Sequence, residues 1–231
     1  MNIAIIPARK DSQGIKNKNL VVLAGKPLIA YSIQTALACK AINKVIVSTD
    51  SPAIANISKK FGAWVPFLRP RSLAKADTPL LPVLIHCLEF IERILKTRIN
   101  NLILLDPTSP FRNNQDILKC LKLIEKPKTD SVVTVCEAEH NPYFVMRKIK
   151  DNYLVSLIKP KKELTRRQDA PKVYRINAGV YVIKRDVLLS GKIFTPHTRA
   201  VMMPQVRSIH IDQLLDLQIA QFLIEKKYVK F

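Results

Sequence analysis

Asn2-Ile3-Ala4-Ile5-Ile6-Pro7-Ala8-Arg9-Lys10-Asp11-Ser12-Gln13-Gly14-Ile15-Lys16-Asn17-Lys18-Asn19 opens the chain, and its two halves differ in character. Ile3 to Pro7 is a short, continuously apolar run, the signature of a buried strand. Ala8 to Asn19 is polar and carries Arg9, Lys10, Lys16 and Lys18 around one glycine. Gly14 is expected to permit φ > 0, so that the backbone curls and turns N–H groups inward. Arg9 offers a planar fork and Lys18 a point charge, both suited to phosphate oxygens. The spacing is neither GxxxxGK[ST] nor GxGxxG. From the residue types alone, a basic loop lying in solvent reads equally well.

Beyond this opening, apolar strands alternate with helices. Leu28 to Leu37 has helical spacing, with Pro27 suited to the first turn. Val45-Ile46-Val47-Ser48 is the next strand, and Ser51-Pro52 opens a helix running towards Lys60. Trp64 to Phe67 is expected as a short strand and Pro79 to Lys96 as a long helix. Leu102 to Leu105 (strand), Gln115 to Glu125 (helix) and Ser131 to Cys136 (strand) continue the alternation. Continuously apolar strands indicate a parallel sheet buried on both faces. The expected class is α/β, a Rossmann-like, mainly parallel sheet with helices on both faces. Ligands of such sheets sit at the carboxyl ends of the strands, so the loops after Ile6, Val47 and Leu105 are the places for chemistry. From about His140 to Tyr174 charges and turn residues dominate, as in Lys159-Pro160-Lys161-Lys162-Glu163. Residues 140–174 are expected to be an inserted arm or hairpin within a single domain spanning 1–231. Gly179 to Ile183 reads as a strand and Leu214 to Lys226 as the closing helix.

With 231 residues, 48% of them apolar and 24% charged, the chain suits one large globular domain. Its apolar runs fall short of the roughly 20 residues that span a bilayer. Met1 leads straight into the first strand, so no signal peptide and a cytoplasmic location are expected. Cys39, Cys87, Cys120 and Cys136 form no C-x-x-C pair and read as reduced, buried thiols. The formal net charge of +20 calls for an anionic partner, namely nucleic acid, anionic lipid or a phosphorylated small molecule, or for a reason for none, since a genome-wide drift towards lysine would look the same. The lysines are spread along the chain, and no helix-turn-helix, RNP-like or zinc pattern accompanies them. No specific nucleic acid and no membrane partner is therefore expected.

Further motifs follow the opening loop in order. They are Val47-Ser48-Thr49-Asp50, then Arg69-Pro70 with Leu73-Ala74 and Asp77-Thr78, then Pro107-Thr108-Ser109-Pro110-Phe111-Arg112. Arg167-Gln168, Arg175-Ile176-Asn177 and Ser208 to Leu217 complete the set. Together these blocks resemble the nucleotide-sugar cytidylyltransferases, especially the CMP-acylneuraminate (sialic acid) synthetase branch, over nearly the whole chain. The resemblance implies a magnesium-dependent transfer in which the anomeric hydroxyl of a 2-keto acid sugar attacks the α-phosphate of CTP and pyrophosphate leaves. Catalysis would come from positioning and charge neutralisation. The resemblance sets Arg9, Ser12, Gly14, Lys18, Asn19 and Arg69 against the nucleotide. It sets Asp106, Arg167, Gln168, Arg175, Asn177, Tyr181 and Phe194 against the acidic sugar, where a guanidinium suits a carboxylate. Asp212 becomes the metal ligand, and Arg9, Lys18 and Asp212 the catalytic group. A homodimer is also implied, the arm of each subunit completing its partner's site.

Four positions depart from the family's pattern. Gln13 stands in place of a lysine, Leu80 in place of a base-reading serine, and Asp106 in place of a glutamine. His210 replaces the first aspartate of a metal-binding DID, leaving His210-Ile211-Asp212. Imidazole suits softer divalent metals better than magnesium, so His210 makes Mn²⁺ an alternative to Mg²⁺. Asp106 would repel an acidic sugar unless it is protonated, paired or hydrogen-bonded. Two outcomes stand open: an enzyme with an altered sugar or metal, or a member that binds nucleotide or sugar nucleotide without turnover. Asp212 also stands where the N-cap of the last helix is expected.

Overall fold

The computed structural model describes residues 1–12, 14–158 and 164–229, except for the side chain of Arg167. In chain order the elements are β1 (Asn2–Pro7), β2 (Val22–Leu23), β3 (Lys26–Pro27), α1 (Leu28–Leu37), β4 (Lys44–Ser48), α2 (Pro52–Lys60) and α3 (Leu80–Leu95). They continue with β5 (Asn101–Leu104), α4 (Asn114–Ile124), β6 (Ser131–Glu137), β7 (Arg147–Lys150), β8 (Tyr153–Ser156), β9 (Tyr174–Lys184), α5 (Arg185–Leu189), β10 (Thr198–Met202) and α6 (Leu214–Glu225).

Six strands form the central sheet in the order β10-β6-β9-β5-β1-β4. Successive side chains of a strand point to opposite faces, and β1 shows the result. Ala4 and Ile6 pack with residues of α1, α2 and α4, while Ile3 and Ile5 pack with α3 and α5. Each fully buried isoleucine contributes roughly 1.5–3 kcal/mol, so β1, apolar on both faces, ties the two layers together. A third apolar cluster joins Ile15 and Ile211 with Leu28, Tyr31, Phe111 and Ala220. It matters most for the site, because it pins the loop after β1 and the segment before α6 to one patch.

The sheet is not parallel throughout. β9 runs antiparallel to both β5 and β6, because the chain returns from the 140–174 excursion without a helical crossover. β9 is also longer than expected, taking in Arg175, Ile176 and Asn177. Its pairing with β6 is irregular between Val133 and Val135, and Ala178 has a φ of 54° there. The expected strand at Trp64 to Phe67 reduces to isolated bridges, Ile46 with Trp64 and Thr49 with Leu68. β10, at Thr198–Met202, had no counterpart in the sequence reading; it lies at the sheet edge, with Arg199 and Met202 exposed. Within the excursion, β7 and β8 form a two-stranded antiparallel hairpin. The four cysteines are buried and free. Among the described residues, no helix is long and apolar enough to cross a membrane.

Candidate active site

β1 delivers its loop at the carboxyl edge of the sheet. Ala8 N–H still bonds Ser48 O at 2.9 Å, and Lys10 N–H bonds Asp50 Oδ1 at 2.9 Å, so β4 holds the loop's first residues. The buried Asn19 closes the loop by donating from Nδ2 to Arg9 O at 3.0 Å. Ile15 anchors the middle in the third apolar cluster. Gly14 does not supply positive φ; that conformation falls to Asn17, with φ 54°. What Gly14 supplies is absence: a Cβ there would lie 2.0 Å from the carbonyl oxygen of Asp212. The glycine is needed for close approach of two loops, a second role the residue often fills.

The approach brings distant residues together. Lys18 Nζ lies 2.7 Å from Asp212 Oδ1, with the lysine largely buried and the carboxylate 59% exposed. His210 Nε2 lies 3.3 Å from Asp212 Oδ2. Burial pulls the Asp212 carboxyl pKa upward, but the Lys18 hydrogen bond and the charges of His210 and Lys18 hold it below its ordinary value. Asp212 does not cap α6. The preceding helix position is Gln213, and the Asp216 carboxylate accepts from the N–H groups of Asp212 and Gln213 at 2.9 and 2.8 Å.

The facing wall comes from the loop after β5. Asp106 Oδ1 accepts from Thr108 N–H at 2.9 Å and from Thr108 Oγ1 at 2.7 Å. The carboxylate is thus hydrogen-bonded on one oxygen, which answers in part the problem of an anion at this position. Arg9, Ser12, Gly14, Lys18, Asn19, Asp106 and Asp212 all line one cavity of about 500 Å³, together with Pro7, Pro107, Thr108 and Gln213.

Other residues expected at the site lie elsewhere. Arg69 is buried and hydrogen-bonds the carbonyl and hydroxyl of Ser48, beneath the loops rather than on the cavity wall. Asn177 is buried with its amide fully engaged, donating to Ser208 Oγ and accepting from Thr134 Oγ1 and Gly179 N–H. Arg175 donates to Ser208 O at 3.2 Å. Tyr181 is half-buried and meets the half-exposed Phe194 edge-on, 6.3 Å between centroids. Burial raises the Tyr181 hydroxyl pKa, and the Asp106 charge adds to the rise. Gln168 lines a separate cavity of about 460 Å³ with Glu137, Asn141 and Lys172. Leu80 begins α3, 39% exposed. Gln13 and the Arg167 side chain lie outside the described residues.

Arg112 is the residue whose place the sequence did not indicate. Its guanidinium is buried and donates to Gly179 O on β9, Ser32 Oγ on α1 and Asp106 O behind the cavity. Burial lowers its pKa to about 10, against the opposing charges of Asp106 and Asp116. An arginine between a phenylalanine and a helix-capping asparagine gives no sequence sign of burial; its acceptors come together from β9, α1 and the loop after β5.

Comparison with known proteins decides the family. Residues 3–228 match the family described as "Cytidylyltransferase". The chain belongs to the cytidylyltransferase family. Among its relatives, the CMP-N,N'-diacetyllegionaminic acid synthase of Campylobacter jejuni is 37% identical over 227 residues, covering 97% of this chain and 95% of the relative. The post-translational flagellin modification protein B of Campylobacter coli is 35% identical with the same coverage. A solved CMP:2-keto-3-deoxy-manno-octonic acid synthetase complexed with CTP superposes with a TM-score of 0.72, covering 98% of this chain and 99% of that one at 17% identity. That likeness concerns the fold. In this cytidylyltransferase the cavity lies at the carboxyl ends of β1 and β5, the place where open α/β sheets take ligands.

Proposed function

We propose that the chain joins CMP to a 2-keto acid sugar of the nonulosonic type, with release of pyrophosphate. The observation that carries this is the single cavity ringed by Arg9, Ser12, Lys18, Asn19, Asp106 and Asp212. Cations and hydroxyls line the side fed by β1, and carboxylates line the side fed by β5 and the segment before α6. The names of relatives, among them a legionaminic and an N-acylneuraminate enzyme, support the substrate class.

The triphosphate of CTP lies along the loop after β1, with Arg9 and Lys18 neutralising its oxygens and Ser12 and the loop amides donating hydrogen bonds. The sugar enters beside Asp106, its ring towards Tyr181, which feels the Asp106 charge, and Phe194, which meets Tyr181 edge-on. An O–P bond forms between the anomeric oxygen and the α-phosphorus as the bridge to the β-phosphate breaks. The hydroxyl proton is released to solvent or to a neighbouring base. A divalent cation such as Mg²⁺ or Mn²⁺, held at Asp212, would supply charge neutralisation at the phosphates. Asp212 fits such a cation. Among the described residues no cluster of three or more His, Cys, Asp or Glu could cage a metal. That sparse set suits an ion that keeps waters and leans on substrate phosphates. Lys18, now paired with Asp212, would be free to pair with the triphosphate if a cation took its place on that carboxylate.

A homodimer formed through the arm completes the reading, together with a cytoplasmic location. The arm exposes Ile149, Tyr153 and Leu154, each about three-quarters accessible, a surface a second copy would cover. The +20 charge serves anionic small-molecule substrates, not a specific nucleic acid.

The test is pyrophosphate release from CTP and a panel of nonulosonic acids with Mg²⁺ or Mn²⁺. Release with at least one sugar is expected. Thermal stabilisation by CTP with no product for any pairing would make the chain a nucleotide-binding protein. Neither effect would remove both readings.

A further inference from the structure

Arg112 carries a charge into the interior and bonds it to neutral groups. The residue is 2% exposed. Its guanidinium donates to Gly179 O on β9, to Ser32 Oγ on α1 and to Asp106 O in the loop after β5, and none of these acceptors is an anion. The Asp116 carboxylate is held on both oxygens by Arg207 instead. A brace between three segments does not require a charge, and a buried charge without a bonded counter-ion is costly. The bonds show where the charge is placed. Asp106 O is a junction that accepts from Arg112 Nη2, from Ser32 Oγ at 3.3 Å and from Ser109 N–H at 3.3 Å. The same residue lines the cavity, its carboxylate tied back at Oδ1 by Thr108. Asp106 therefore has a cation bonded to its main chain and an anion at its side chain. Burial lowers the Arg112 pKa to about 10 and the Asp106 charge opposes that fall, so the guanidinium stays ionised at neutral pH.

We propose that Arg112 is a positioning residue for the acidic substrate: its fixed, buried charge offsets the Asp106 anion from behind the loop, so that a second carboxylate can enter beside the first. Two carboxylates sharing a site repel each other. The Thr108 hydrogen bonds hold the Asp106 carboxylate in place but bring no positive charge to it. Arg112 brings one, and from a place that no surface lysine shares, because a buried charge is screened far less by salt. It acts through Asp106 and is not itself on the cavity wall. The wall thus keeps a carboxylate as a hydrogen-bond acceptor without turning an anionic sugar away. The inference rests on the reading of the substrate as an acidic sugar.

The experiment measures binding of nonulosonic acids, N-acetylneuraminic acid among them, and of their methyl esters to the full chain. CTP is present and divalent cations are chelated, so that no turnover intervenes. The readout is the ratio of acid affinity to ester affinity, in which general damage to the site cancels. R112M is expected to lower that ratio about tenfold, the order of effect of one unit charge at the effective dielectric of a protein. The loss should persist in about 0.5 M salt, where steering by surface lysines is screened out. R112K keeps the charge but not the planar fork, and should lower Tm while holding the ratio within about twofold of the wild type. D106N leaves Arg112 and its three bonds in place; it should raise the ratio about tenfold, a result that does not depend on R112M folding. The R112M/D106N double variant should return towards the wild-type ratio. Equal weakening of acid and ester in R112M overturns the proposal and leaves Arg112 a brace, as does a ratio that D106N leaves unchanged. A ratio that falls as far in R112K as in R112M also overturns it, because lost bonds would then be the cause. Any of these results in a chain that turns over an acidic sugar removes this inference alone. The expected ratios without pyrophosphate release, once Mg²⁺ or Mn²⁺ is restored, would remove the proposed turnover alone. Binding of CTP but of neither acid nor ester would remove both.

Discussion

The cavity and the arm treat their side chains in opposite ways. Around the cavity, polar groups satisfy one another, within one loop for Thr108 with Asp106 and between distant segments for Lys18 with Asp212 and Asn177 with Ser208 and Thr134. In the arm, among the described residues, β7 and β8 pair only with each other and turn Ile149, Tyr153 and Leu154 to solvent. A lone two-stranded hairpin is at best marginally stable in water. One region is closed by its own polar contacts, and the other exposes an apolar surface. On the proposed reading, nucleotide-side chemistry would belong to the first and subunit association to the second. If this division holds, each region can be damaged without touching the other.

The largest effect should come from filling the gap that lets the cavity close. In G14A the new Cβ would sit 2.0 Å from the Asp212 carbonyl oxygen, so one of the two loops must move. Lys18 and Asp212 would then lose their alignment, and displacement of about 1 Å at a catalytic centre costs on the order of 100-fold in rate. Pyrophosphate release should fall by about that factor, while light scattering still reports the wild-type association state. Wild-type turnover in G14A would show that the loop contact is dispensable.

The converse variant strikes the arm. Ile149 and Leu154 are paired across β7 and β8. I149E/L154E places two carboxylates on the exposed apolar surface, where burial against a partner would become costly. The expected outcome is a monomer by light scattering. The hairpin should lose up to about 1 kcal/mol, since like charges directly opposite on paired strands repel, and CTP binding should persist. A dimer that survives both charges would move the interface elsewhere.

The two regions also differed in how far the sequence disclosed them. β1, β4 and β5 were legible because a strand buried on both faces must be continuously apolar, and Ile3 to Pro7 could be little else. The loop after β1 was legible as well, since Arg9, Ser12, Lys18 and Asn19 cluster within a few residues. Three matters were hidden. Gly14 was taken as a source of positive φ, because chain-local reasoning cannot see the Asp212 carbonyl that arrives from nearly two hundred residues away. Asn177 reads as a polar residue near a ligand, yet it is a buried brace bonded to Ser208, Thr134 and Gly179, and Arg112 gives no local sign of its burial. β10 was overlooked because an edge strand with exposed Arg199 and Met202 lacks the apolar run that marked the others. Periodicity records burial within one element; bonds between elements leave no local trace.

The smallest expected effect tests whether the cavity's support is made of many minor contacts or a few decisive ones. Ser51 caps α2 directly after the loop that holds Lys10, accepting from Ile54 N–H at 3.4 Å while its own N–H bonds Thr49 Oγ1 at 3.1 Å. S51A removes the cap and leaves the backbone bond in place. Loss of such a cap costs about 1 kcal/mol, or about 2–4 °C in Tm for a domain of this size. Turnover and association should both stay at wild-type levels, because Lys10 N–H reaches Asp50 rather than Ser51. A fall in turnover beyond what the lost stability explains would mean that α2 transmits strain to the β1 loop. The rigidity of the cavity would then depend on the helix layer beneath it, not on the Gly14–Asp212 contact alone.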